Sequence, residues 1–275
     1  MKTLKQLPIY IVHYSKLVDR GLYLKNVFAN LNLDPIWVTE KDFSTFKTST
    51  QVQKKIVGVR EKLVGMDLGI NSRSLVYSRR KSKIQGYALF LRSYFPKQSY
   101  IALGSLPKKE RLPEPQLEVQ RMHLTALLNG IKGSSKWIFI LEDDAMPLNE
   151  AFKNVNHIVE KLDATNTWIS LNSGAGLGRT SSDHNPDKFG LFQVKPASTR
   201  CASAYLVSTD LAKKIVKSAN NDGVPDWLPI DLYYQVLLRK FRSISLWADP
   251  AIFDQGSENG KYLSGLEKLR LRTQF

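Results

Sequence analysis

A single cysteine, Cys201, stands in 275 residues. No internal disulfide can form, so packing and hydrogen bonds must hold the fold, as suits a reducing compartment. No apolar run approaches the roughly 18 residues of a membrane helix. The apolar stretch between Lys5 and His13 is too short for the core of an export signal, and no small-residue cleavage site follows it. The chain is therefore expected to be cytoplasmic. Repeats and low-complexity tracts are absent, and no glycine-rich phosphate loop follows the first apolar run. Acidic residues are few, 25 against 40 Lys and Arg, and the formal charge is +15. Residues 41–111 hold 16 Lys and Arg against 4 Asp and Glu, so they carry most of that charge. Such a segment could meet nucleic acid, anionic lipid or an anionic substrate, or simply keep the surface solvated.

What is present is enough to build a core. Apolar residues make up 43% of the chain, which excludes wholesale disorder. The most informative stretch is 136–147. Five apolar residues, Trp137 to Leu141, run into three carboxylates, Glu142, Asp143 and Asp144. The apolar run reads as a buried strand, and alternation would place Glu142 and Asp144 on one side with Asp143 on the other. Adjacent carboxylates repel and are costly to bury, a cost that a hard cation or an array of donors would offset. Ligands of open α/β sheets lie beyond the carboxyl ends of strands, which suits a metal with a phosphate-bearing ligand. The plainer reading is a solvated turn in which Asp144 caps the next helix.

Elsewhere the pattern alternates strand and helix. Residues 8–14 read as a strand, 19–33 as a helix and 35–39 as a second strand, which makes a βαβ opening. The turn after the first strand carries His13, Ser15 and Arg20, which could face a nucleotide. Residues 43–115 read as a basic variable insertion within one domain spanning 1–275. A helix is expected over 116–129, stopped by Gly130 and Gly133, and another over 147–162. Further strands are expected at 167–171, 189–195, 202–207 and 244–247. A helix capped by Ser208 or Thr209 follows 207, and one over 232–241 has Pro229 before it and Asp231 in its first turn. The loop 172–178 holds three glycines, weak evidence of phosphate binding. The tail 268–272 alternates basic and apolar residues and could touch a membrane surface.

Several of these stretches, in this order, resemble glycosyltransferase family 25, the lipopolysaccharide-biosynthesis and procollagen-galactosyltransferase group. Residues 9–14 with Arg20 look like its first strand and following arginine, with His13 where an asparagine is usual. Residues 118–128 look like its helix with a Ser-His pair, here Met122 and His123. Residues 137–147 look like its Leu-Glu-Asp-Asp box and 204–208 with Ala212 like its Ala-Tyr-x-x-Ser motif. Residues 229–231 and 250–255 look like its last two signatures. Together these span about two thirds of the chain.

The resemblance implies an α/β fold of the GT-A type, with a Rossmann-type nucleotide-binding half and a mixed central sheet. It implies inverting transfer of a hexose, most often galactose, from a UDP-sugar donor to a hydroxyl of a saccharide or glycolipid acceptor, in lipopolysaccharide or other surface-glycan synthesis. Mn²⁺ or Mg²⁺ would be held by Asp144 with Glu142. The nucleotide side would take His13, Arg20 and Glu40, with Glu142 and Asp143 beside them. Asp231 is the first choice of base, with Asp226 and Glu258 as alternatives. Arg200, His123 and Gln255 would meet the sugar or form the site wall. The basic segment would then rest on an anionic membrane at its inner face, and no nucleic acid is expected. The rival readings are a metal-dependent nucleic-acid-processing enzyme and an inactive relative that binds a glycan or a partner.

Overall fold

The computed structural model describes residues 3–42, 46, 111–174, 177, 179, 185–195, 197–257 and 259–262. The basic insertion falls almost wholly outside them, as do Glu258, the 268–272 tail and two of the three loop glycines.

The described chain is α/β, with a seven-stranded mixed sheet between helices. In chain order the elements are β1 (Ile9–Val12), α1 (Val18–Asn30), β2 (Ile36–Val38), α2 (Glu114–Gly130), β3 (Trp137–Glu142), β4 (Ala145–Pro147), α3 (Ala151–Lys161), β5 (Thr167–Ser170), β6 (Leu191–Gln193), β7 (Ala204–Ser208), α4 (Thr209–Asp222), α5 (Ile230–Lys240), β8 (Ile244–Ala248) and β9 (Phe253–Gln255). The sheet order is β2-β1-β3-β7-β5-β8-β6, and β4 pairs with β9 in a separate ribbon. β1 is parallel to β2 and β3, and β5 to β8. β7 runs antiparallel to both of its neighbours, β3 and β5.

The residue pattern explains the middle of the sheet. Strands covered on both faces need continuous apolar runs, and Trp137 to Leu141 and Ala204 to Val207 supply them. On one face Ile138, Ile140, Trp168, Tyr205 and Val207 meet α2, α4 and α5. On the other, Ile9, Ile11, Phe139, Leu141 and Leu206 meet α1 and α3. Trp168 and Tyr205 stack at 4.0 Å between ring centroids. Each such buried side chain contributes about 2–3 kcal/mol relative to exposure.

Three local expectations change. Gly130 ends α2 from inside it, and a β-carbon there would lie 2.6 Å from Ile138, so its role is close helix–sheet packing. Residues 145–147 form β4, and the helix begins only at Ala151, because β9 is there to pair with them. Ser208 stands at the start of α4 but makes no capping bond; its hydroxyl instead accepts from the Thr167 N–H at 3.0 Å, tying β7 to β5. The reversal of β7 brings its first residues to the end of the sheet where β1, β3, β5 and β8 finish. Among the described residues no helix is long and apolar enough to cross a membrane.

Candidate active site

The site is built on the turn that ends β3. Strand pairing stops at Glu142, and Asp143 and Asp144 turn out of the ladder before β4 begins. Strict alternation therefore does not govern the three carboxylates, which corrects the simple strand reading. Glu142 reaches the α2 face, and Asp143 the loop after β1. Asp144 shares Arg20 with Asp143.

Asp143 is buried and filled. His13 Nδ1 lies 2.9 Å from Oδ2, the Tyr14 N–H donates to Oδ2 at 3.2 Å, and Arg20 Nη1 donates to Oδ1 at 3.0 Å. The turn carrying His13 and Arg20 thus positions a carboxylate by charge-assisted bonds. Gly21 lets this happen, because a β-carbon there would stand 2.9 Å from His13 Nε2. Glu40 closes the other side of the same turn, accepting from the Ser15 N–H at 3.0 Å and from the Ser15 hydroxyl. Burial would raise its pKa, but the bonds from Ser15 outweigh burial and hold it below the usual range. His13, Arg20 and Glu40 therefore gather at the acidic end, each already engaged with protein.

Asp144 differs. The Ser257 hydroxyl donates to Oδ2 at 2.5 Å, and Arg20 Nη1 stands 3.8 Å away. Oδ1 is buried and has no hydrogen-bond partner among the described residues. Burial, then the charge of Glu142, push its pKa up to about 7, against the pull of Ser257. The plain alternative of a solvated cap is excluded, since Asp144 is 3% exposed and Glu150 occupies the cap of α3. The segment after β9 closes over this carboxylate. The Gly256 N–H donates to the Asp144 carbonyl at 2.8 Å, and the Tyr262 ring lies over Arg20 at 5.2 Å.

Glu142 is held from the opposite face. His123 Nε2 lies 3.0 Å from its Oε1, and His123 Nδ1 lies 3.0 Å from the Tyr205 hydroxyl, itself 3.3 Å from that of Tyr234. The Tyr205 hydroxyl, donating to that of Tyr234, stands between the imidazole and Tyr234. His123 is a buried holder of Glu142, the structural alternative to a wall that meets sugar.

Asp231 lies in the first turn of α5, as expected, and its carbonyl accepts from the Thr199 hydroxyl at 3.1 Å. Burial pushes its pKa up to about 6; the Leu232 N–H opposes this, and the Glu142 charge adds to it. The charge of Glu142 thus bears on both Asp144 and Asp231. The carbonyl of Asp226, ahead of α5, accepts from the Leu112 N–H at 2.7 Å.

Arg200 is buried, its Nη1 donating to the Ala248 carbonyl at 2.9 Å while its guanidinium lies 5.5 Å from the Trp247 ring. Gln255 pairs through its backbone with Ala145, beside the acidic turn, and its Oε1 has no partner among the described residues. Sequence reasoning missed Ser257, Tyr262, Asn172 and Ser203. Serine and asparagine in a loop carry no signal of burial; only the pairing of distant strands supplies it.

A cation finds a partial set of ligands. Among the described residues no three His, Cys, Asp or Glu converge as a cage. Hard divalent ions are also held by one or two carboxylates, with phosphates and water completing the shell. Asp144, with a bare buried oxygen and an excess of negative charge around it, fits that arrangement, and Glu142 is the neighbour able to assist. Asp143, with both oxygens taken, does not. Neither a family model nor a curated protein matches this chain.

Proposed function

We propose that this chain is a metal-assisted, inverting hexosyltransferase of the GT-A type, passing a hexose from a UDP-sugar to a hydroxyl of a saccharide or glycolipid acceptor. The observation that carries this reading is the pair Asp144 and Asp231, flanking Glu142 at the carboxyl end of the sheet, both with pKa values raised by burial. Two carboxyl groups pushed upward in one site suit two different tasks. The mixed sheet with its parallel β1-α1-β2 opening supports the fold assignment, and the sequence resemblance to family 25 supports galactose as the hexose.

Asp144, assisted by Glu142, would hold Mn²⁺ or Mg²⁺, which when bound supplies positive charge to the departing diphosphate. The chain's own residues do the rest. Asp231 takes the proton of the acceptor hydroxyl; with a pKa of about 6 it is ionised at neutral pH yet still a useful base. The acceptor oxygen bonds to the anomeric carbon as the bond to the diphosphate breaks, and the electron pair leaves with UDP. His13 and Arg20 keep Asp143 in place, and with it the turn that presents Asp144. His123 keeps Glu142 turned toward Asp231. A phosphorylated lipid-linked acceptor at an anionic membrane surface would suit the basic insertion.

Calorimetric titration of UDP, with Mn²⁺ and with EDTA, tests the reading on wild type and Asp144→Asn. Binding that needs both the metal and Asp144 supports it. No binding of UDP under either condition overturns it.

A further inference from the structure

Strand register around β7 brings three polar side chains into one row. β3 and β7 pair through Leu141 and Ala204, and the ladder runs one step further, the Glu142 N–H donating to the Ser203 carbonyl at 2.7 Å. On the other side of β7, β5 pairs through Ser170 and Tyr205, and the Leu171 N–H donates to the Ala204 carbonyl at 2.9 Å. Continued one further step, this register would set Asn172, which also bridges to Phe253, opposite Ser203. Residues directly opposite in an antiparallel ladder share a face, with β-carbons about 5 Å apart. Glu142, Ser203 and Asn172 therefore stand side by side on the face that carries Tyr205 and Trp168. That face also holds His123 and the start of α5 with Asp231.

Two of the three are buried without partners. Asn172 is 0% exposed, and neither its amide oxygen nor its amide nitrogen has a hydrogen-bond partner among the described residues. Ser203 is 1% exposed, and its hydroxyl is in the same position. Buried polar groups are almost always satisfied, so several orphans in neighbouring residues mark a place where something else bonds to them. Gly174 leaves room for the amide: a β-carbon there would lie 2.6 Å from Asn172 Nδ2.

The chemistry of the row selects the ligand. Asn172 offers two donors and an acceptor, Ser203 one of each, and ionised Glu142 only acceptors. None of the three supplies a cationic donor for a phosphate. A ring with adjacent hydroxyls, each both donor and acceptor, matches it. We infer that Asn172 and Ser203, together with Glu142, form the subsite that recognises the hydroxyls of the donor hexose, apart from the diphosphate. This rests on the transferase reading above. It moves sugar recognition away from Arg200 and His123, which are engaged with the protein itself.

The test is calorimetric titration of the full chain with Mn²⁺, using UDP, UDP-galactose and UDP-glucose as probes. Asn172→Ala and Ser203→Ala are compared with wild type, and Asn172→Leu serves as a size-preserving variant should the alanine disturb folding. The variants are expected to keep UDP affinity within about twofold while losing about tenfold for at least one UDP-hexose. Equal losses for UDP and both UDP-hexoses, or no loss at all, would mean that water alone fills the row and would overturn the inference while leaving the transferase reading standing. Failure of wild type to bind any of the three probes would overturn that reading, and this inference with it.

Discussion

His123 Nε2 lies 3.0 Å from Glu142 Oε1, and the imidazole is wholly buried between that carboxylate and the Tyr205 hydroxyl. An imidazole in this position, carried by α2, bonds two polar groups of the sheet at once, one at the end of β3 and one on β7. His123→Ala would take a partner from each and open a cavity. It is expected to destabilise the fold by about 2–4 kcal/mol, measured by urea unfolding. His123→Gln, which can still bond one partner, is expected to cost less.

Asp144 imposes a pH dependence on stability. Its pKa rises from 3.8 in the unfolded chain to about 7 in the folded one. Between these values the native state keeps a proton that the unfolded state has lost, so stability falls as pH rises through that window. The gradient is on the order of 1 kcal/mol per pH unit. Asp144→Asn removes it. In EDTA the variant is expected to gain stability relative to wild type on going from pH 4 to pH 8, and denaturant midpoints at several pH values check this. Loss of metal-dependent UDP binding should accompany the gain.

In the proposed role of base, Asp231 would set the acid limb of the rate profile. A base with a pKa of about 6 loses activity as pH falls through that value, because the protonated form cannot accept. Asp231→Asn is expected to lower turnover by about 10²- to 10⁴-fold while UDP binding changes little. Initial rates of UDP release from pH 5 to pH 8 separate the two effects.

Gly174 is required by space. A β-carbon would lie 2.6 Å from Asn172 Nδ2 and 2.9 Å from the Arg200 backbone carbonyl. The amide can swing aside, but the carbonyl is fixed by the loop. Gly174→Ala is expected to destabilise by about 1–3 kcal/mol, read from thermal or urea unfolding. Gly260→Ala is the control for space: its β-carbon would meet nothing within 4 Å, although the positive φ of 82° adds backbone strain there too.

The strand and helix order was legible in the sequence because it depends on local pattern. The unbroken apolar run from Trp137 to Leu141 specifies a strand buried on both faces, and Pro229 followed by Asp231 specifies a helix start, wherever those segments end up. The three carboxylates after that run were visible for the same reason, whereas Asp231 was singled out only through the family resemblance. Their roles were not visible. Which of Glu142, Asp143 and Asp144 keeps a bare oxygen depends on His13, Arg20, His123 and Ser257, which lie between 19 and 130 residues away in sequence. Tertiary structure alone decided that β7 runs against its neighbours, which sets Ser203 between Glu142 and Asn172. It also decided that β9 pairs with β4, so that the chain beyond β9 closes over Asp144. Hydrophobic periodicity is a property of neighbours along the chain. Hydrogen-bond satisfaction is a property of neighbours in space, and only the folded protein assigns those.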